Sequence, residues 1–162
     1  MSVFKPDLYL KRFALLDVNE LVKRNIRLLL VDFDNTIVPL GSPYIGAKEA
    51  NKIRELKEQG IEVIILSNNK RSRIEPFARK LGVEFISFAL KPFFHQYLRI
   101  LTQKKCPVEQ AAALGDQLFT DIIGANALGI YTIYCEPIGT KDWITTRVLR
   151  RIEEPFLKHE RN

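Results

Sequence analysis

Two cysteines in 162 residues, Cys106 and Cys135, are too few for a disulfide framework, and no C-x-x-C pair or Cys/His cluster offers zinc spacing. A reducing, cytoplasmic setting is the expectation. No apolar run approaches the roughly 18 residues that cross a bilayer, so contact with a membrane is expected only from its surface. Met1-Ser2-Val3-Phe4-Lys5-Pro6 is not followed by an apolar core long enough for a signal peptide. Repeats, low-complexity tracts and interior linkers are also absent. The length suits a single domain over 1–162, large enough to bury about two-thirds of its unfolded surface.

The charge that is present is unevenly placed. Twenty-five basic against 19 acidic residues give +6. Residues 1–27 hold Lys5, Lys11, Arg12, Lys23, Arg24 and Arg27 against Asp7, Asp17 and Glu20, and Lys70-Arg71-Ser72-Arg73 forms a denser cluster with Arg79 and Lys80 nearby. Such a cluster reads as a solvated helix face, or as a surface attracting an anionic substrate, lipid or nucleic acid.

Apolar runs alternate with amphipathic stretches. Pro6 to Arg24, within a segment 1–25, reads as one or two amphipathic helices with Leu8, Leu10, Phe13, Leu15, Leu16, Leu21 and Val22 available for burial. Strands are predicted at 27–34, 62–67, 84–90, 111–115 and 131–135. Helices are predicted over 47–59 with Gly60 closing it, 72–81 ending at Gly82, 93–104, a stretch ending near Leu128-Gly129, and 141–158. The last, within 141–162, is basic through Arg147, Arg150 and Arg151. This alternation indicates an α/β fold with a central parallel sheet of about five strands between helices.

The strand ends carry the chemistry. Leu28-Leu29-Leu30-Val31 runs into Asp32-Phe33-Asp34-Asn35-Thr36. Two acids at a buried strand end repel each other unless a cation or hydrogen bonds compensate. Asp-x-Asp also caps turns through Asx hydrogen bonds. The second run ends in Ser67-Asn68-Asn69, groups suited to phosphate oxygens. The third leads to Lys91-Pro92, a compact cation followed by a proline placed to open a helix. The fourth ends in Gly115-Asp116, with Thr120-Asp121 following. In a parallel sheet all four ends lie on one edge, where ligands bind in this architecture.

In order and spacing these segments resemble the four motifs of the haloacid dehalogenase-like (HAD) phosphatase superfamily over roughly residues 27–135. Val31 to Pro39, Ser67-Asn68-Asn69 and the Lys91-Pro92 segment resemble more narrowly the small bacterial YqeG-type proteins, relatives of the mitochondrial-type phosphatidylglycerophosphate phosphatases. The resemblance implies a three-layer Rossmann-like fold. Only 30 residues separate Thr36 from Ser67 and 23 separate Ser67 from Lys91, so neither insertion point holds a cap domain.

It implies Asp32 as nucleophile, Asp34 as general acid and base, and Ser67 and Lys91 on the phosphate, with Thr36, Asn68 and Asn69 as further contacts. It also implies Mg²⁺ held by Asp32, the Asp34 carbonyl and Asp116, with Asp121 behind them. The favoured substrate is a lipid headgroup phosphate, phosphatidylglycerophosphate, met at an anionic membrane on its inner face through basic surface at Lys70, Arg71 and Arg73, with Arg147, Arg150 and Arg151 or the N-terminal helix as alternatives. The alternatives are a phosphatase for a small soluble or nucleic-acid phosphomonoester, and a non-catalytic basic scaffold. Nucleic acid is not the expected partner.

Overall fold

The computed structural model describes residues 3–139, 146, 148 and 151–155. Within them the strands are β1 (Leu8–Leu10), β2 (Leu28–Val31), β3 (Glu62–Leu66), β4 (Glu84–Ile86), β5 (Ala111–Gly115) and β6 (Tyr131–Cys135). The helices are α1 (Val18–Lys23), α2 (Ala47–Glu58), α3 (Arg71–Leu81), α4 (His95–Lys104) and α5 (Ile123–Asn126). All strands are parallel, in the order β1-β6-β5-β2-β3-β4. β2 pairs Leu28 with Glu62 on one side and with Ala111 on the other. From β2 the sheet grows in both directions, so the switch point of the topology lies at its carboxyl end.

Side chains of β2 alternate between two cores, as a strand buried on both faces requires. Leu29 and Val31 join Leu21 of α1, Ile53 and Leu56 of α2, and Ile74 and Phe77 of α3. Leu28 and Leu30 join Tyr97, Ile100 and Leu101 of α4 and Ala125 of α5. Each fully buried leucine contributes about 1.5–3 kcal/mol relative to exposure. The helix ends follow local chemistry. The Asp17 side chain accepts from Asn19 N at 2.9 Å at the start of α1, and α3 stops at Gly82, whose φ of +62° suits glycine.

Several expectations need correction. The N-terminal segment is not one or two helices. It opens with β1, a sixth strand whose Leu8 pairs with Ile133, and only then passes through a short 3₁₀ turn to α1. Leu15 and Val22, expected inside, are exposed, because the 3₁₀ turn buries Phe13 and α1 buries Val18 and Leu21. β4 is shorter than 84–90, since Phe88 and Leu90 take left-handed φ values of +49° and +54°, which no strand accommodates. Pro92 does not open α4, which begins at His95. The stretch ending near Leu128 holds a wide turn over Leu118–Ile122 before the short α5. Residues 146, 148 and 151–155 are helical, and the remainder of the predicted C-terminal helix, with Arg147 and Arg150, lies outside the described residues. Among the described residues no helix is long and apolar enough to cross a membrane.

Candidate active site

β2 keeps its ladder one residue past its end, with Asp32 N donating to Leu114 O at 2.8 Å. The chain then turns sharply. Asn35, at φ +63°, donates its N–H to Val38 O at 2.7 Å and accepts Leu40 N on its side-chain oxygen at 3.0 Å. That turn is capped by Asn35, which leaves Asp32 and Asp34 to other partners.

Asp32 faces a buried cluster. The Lys91 ammonium donates to Asp32 Oδ1 at 2.5 Å and to Asp121 Oδ1 at 2.6 Å. The Thr36 hydroxyl bridges Asp32 Oδ2 at 3.2 Å and Asp116 Oδ1 at 3.0 Å. Thr36 is therefore an organiser of two acids. Burial alone would lower the pKa of Lys91, but the charges of Asp121 and Asp32 overturn it and hold the ammonium above its ordinary range. Burial pushes the Asp121 carboxyl up, with Lys91 pulling against it and Asp32 adding to the rise.

Asp121 is not an outlying support. Its carboxyl lies over Gly115, where a Cβ would stand 2.3 Å from its Cγ, and it accepts Gln117 N at 3.0 Å. Glycine at 115 is thus a requirement of the site. Gly124 acts similarly, since a Cβ there would meet Pro92 O at 2.4 Å, so α5 can approach the Lys91 loop closely. Tyr97 Oη donates to the Asp121 carbonyl at 3.2 Å.

Asp32, Asp116 and Asp121 offer carboxylate oxygens within 4.8 Å of one another, all buried. Three carboxylates against one ammonium leave two negative charges in excess, and the donors are hard oxygens. This set suits a divalent cation.

Asp34, two residues on, points elsewhere. It is half-buried, with Arg73 Nη2 and Nε donating to Oδ1 at 2.9 and 3.2 Å and Asn69 Nδ2 donating to Oδ2 at 2.8 Å. Burial raises its pKa, the hydrogen bonds from Asn69 and Arg73 oppose that, and Asp32 adds a smaller upward push. Arg73 also donates to the Ser42 and Pro39 carbonyls, and its guanidinium lies 5.1 Å from the Phe33 ring centroid and 5.2 Å from that of Phe77.

Arg73 is the residue whose role the sequence reading misplaced. It is not part of a solvated basic face, because it is committed to Asp34 and to the loop after it. A signal was available: Arg73 stands four residues before Phe77 on α3, hence on the buried face. Of its expected companions, Arg71 pairs with Glu75 at 2.9 Å, as does Arg79 at 3.0 Å. Hydrogen bonds from Arg71 and Arg79 draw the Glu75 carboxyl down to about 2. Lys70 is exposed.

The three residues that follow β3 divide their work. Ser67 is buried and its Oγ accepts Asn69 N at 3.1 Å, holding the turn at the end of β3. Asn68 grips the backbone of Lys91, accepting its N–H at 2.8 Å and donating to its carbonyl at 3.1 Å. Asn69 holds Asp34. Between β2 and β3 stand only a loop and α2, and between β3 and β4 only α3, so no cap domain covers the site from either place.

Known proteins similar to this chain are phosphatases. Residues 1–139 match the family described as mitochondrial PGP phosphatase. The chain is 34% identical over 154 residues to the probable phosphatase YqeG of Bacillus subtilis (strain 168), covering 95% of this chain and 90% of that one. Against the solved 3-deoxy-D-manno-octulosonate 8-phosphate phosphatase of Yersinia pestis the identity is 26% with a TM-score of 0.50, covering 62% of this chain and 60% of that one. The cobalt-bound octulosonate 8-phosphate phosphatase of Haemophilus influenzae shares the fold at 17% identity, with a TM-score of 0.58 over 83% of this chain and 89% of that one.

Proposed function

The chain belongs to the mitochondrial PGP phosphatase family of HAD-type phosphatases, and from that premise we propose that it is a magnesium-dependent phosphomonoesterase that dephosphorylates phosphatidylglycerophosphate through an aspartyl-phosphate. The observation that carries this reading is the separation of Asp32, set among acids against Lys91, from Asp34, set against Arg73 and Asn69.

Asp32 attacks phosphorus in line and the ester oxygen leaves. Asp34, its proton affinity raised by burial, donates a proton to that leaving alkoxide and later takes one from the water that cleaves the acyl phosphate. Lys91 neutralises Asp32 in the resting site and stabilises charge on the equatorial phosphate oxygens, together with the Ser67 hydroxyl. Asp32, Asp116, Asp121 and the Asp34 carbonyl would hold Mg²⁺. When bound, the ion offsets repulsion between an anionic nucleophile and an anionic substrate.

The lipid substrate is supported by the family and by a site that no cap domain closes. A phosphate-release screen tests it, comparing phosphatidylglycerophosphate in micelles with soluble sugar, nucleotide and oligonucleotide phosphates, each with and without Mg²⁺. Preference for the lipid by at least about tenfold in kcat/KM is expected, a difference of about 1.4 kcal/mol. Equal or better turnover of a soluble phosphate overturns the substrate. No turnover of any phosphomonoester with Mg²⁺ overturns the enzyme reading.

A further inference from the structure

We propose that the loop carrying Lys91 is a docking surface for an anionic lipid bilayer, placed so that apolar side chains enter the interface as a headgroup phosphate reaches the site. The proposal rests on the lipid-phosphate reading above.

Around Lys91 the chain exposes an unusual set of large apolar side chains: Phe88 61%, Leu90 62%, Phe93 60%, Phe94 45% and Leu98 42%. Isolated exposed hydrophobics are ordinary, but five within eleven residues at the rim of a site mark an interaction surface. They are held outward by fixed neighbours. Ala89 is buried and its N–H donates to Ser67 O at 3.0 Å, Phe88 N donates to Asn69 O at 3.0 Å, and Asn68 grips Lys91 on both sides. The Lys91 side chain meanwhile points inward to Asp32 and Asp121. Phe88 and Leu90 sit in left-handed backbone that bulky residues disfavour. Glycine or asparagine would adopt that backbone with less strain, yet the chain places a phenylalanine and a leucine there.

Charge selects the occupant. Residues 85–108 contain no aspartate or glutamate, and neither do residues 63–74. The two segments meet through the hydrogen bonds just described and present Lys70 and Arg99 to solvent, while Arg71 is paired with Glu75. The acids of the site lie inside, or in the case of Asp34 against Arg73. An anionic surface therefore approaches basic and apolar groups on both segments. A second copy of this chain packed on the same face would bring those cations together. Since no described helix spans a bilayer, shallow insertion of side chains is the mode that fits.

The test compares the whole protein with a Phe88→Asn, Leu90→Asn, Phe93→Ser, Phe94→Ser variant. Sedimentation uses phosphatidylcholine vesicles with and without phosphatidylglycerol. Activity is read on vesicle-borne phosphatidylglycerophosphate and on p-nitrophenyl phosphate. Wild type is expected on the anionic vesicles, and the variant to lose at least about tenfold in partitioning and a similar factor on the lipid phosphate. Its p-nitrophenyl phosphate turnover should stay within about twofold, which also reports a folded site. A Phe93→Ser, Phe94→Ser variant, which leaves the strained positions untouched, should show a smaller loss in the same direction.

If wild type hydrolyses the lipid phosphate and the variant binds vesicles equally well, the docking surface is overturned while the function stands. If wild type binds anionic vesicles through these residues but turns over only soluble phosphates, the lipid substrate falls and the surface stands. A wild type that ignores vesicles and elutes as a dimer, with a monomeric variant, assigns the face to self-association and overturns the proposal.

Discussion

Asp32 and Asp34 are two residues apart, yet their surroundings differ in both charge and mechanics. Asp32 belongs to a cluster drawn from three strand ends, where Lys91 faces Asp32 and Asp121 and Thr36 ties in Asp116. That cluster carries more negative than positive charge, and its side chains are buried. Asp34 belongs to a balanced set, one carboxylate with one guanidinium and one amide, fastened to α3 and to the loop at Pro39 and Ser42. The surplus of charge thus lies where three carboxylates converge. In the proposed mechanism the pair divides labour by location, with attack and charge neutralisation assigned to the strand-end cluster and proton transfer to the carboxylate held by α3.

The strongest way to break this comparison is to neutralise each acid in turn. Asp32→Asn is expected to lower kcat by about 10⁴-fold or more, as loss of a nucleophile does, whereas Asp34→Asn should lose roughly 10²–10⁴-fold, the range of general acid–base catalysis. Single-turnover assays with a good leaving group should show phosphoenzyme in Asp34→Asn and none in Asp32→Asn. Equal losses with no trapped phosphoenzyme in either would erase the division of roles.

Lys91→Met addresses the charge surplus. Removing the ammonium leaves the Asp32, Asp116 and Asp121 carboxylates unbalanced, and losing one partner of a buried pair costs about 3–5 kcal/mol. Urea unfolding should show that loss in metal-free buffer and a partial recovery with millimolar Mg²⁺. The same variant should be nearly inactive, and a destabilisation indifferent to Mg²⁺ would contradict a cation site at these acids.

Arg73→Ala sharpens the other side. Arg73 lowers the proton affinity of Asp34 against the upward effect of burial, so removing it should raise that affinity further. Every limb of the pH–rate profile that Asp34 governs then moves to higher pH: the alkaline limb where it must be protonated, and the acidic limb where it must be ionised. A rate loss of roughly ten- to a hundredfold is expected, as for other residues that orient a reacting ligand. An unmoved profile would reduce Arg73 to a tether for the loop. The smallest effect belongs to Gly115→Ala, where the new methyl collides with Asp121. A loss of about 1–3 kcal/mol, typical of overpacking, should appear in thermal unfolding, with weaker Mg²⁺ binding by calorimetry and a fold unchanged by circular dichroism.

The inner strands were legible because β2, β3, β5 and β6 are short apolar runs whose signal is local. Gly60 and Gly82 also declared themselves as helix stops, since both require positive φ. β1 was not legible. Leu8, Leu10, Phe13 and Leu16 mimic a helical spacing, and the strand exists only because Leu8–Leu10 finds β6 far along the chain. The carboxylates and Lys91 were found by their position at strand ends. The partnership of Asp34 with Arg73 spans 39 residues and depends on how α3 leans over the loop, which no local pattern records. The start of α4 was missed for a similar reason, since Asn68 and Ser67 hold the preceding loop in place from another strand.

The pairing of β1 with β6 has a consequence for the order of assembly during synthesis. Asp7 and Thr132, which exchange backbone and side-chain hydrogen bonds, are 125 residues apart. At ordinary elongation rates roughly 6–25 s separate their emergence. Asp32, Asp34, Lys91, Asp116 and Asp121 all precede Thr132 and stand at or beyond the ends of strands other than β1 and β6. A nascent chain thus holds every acid of the site, and the lysine that balances them, before its first strand has a neighbour.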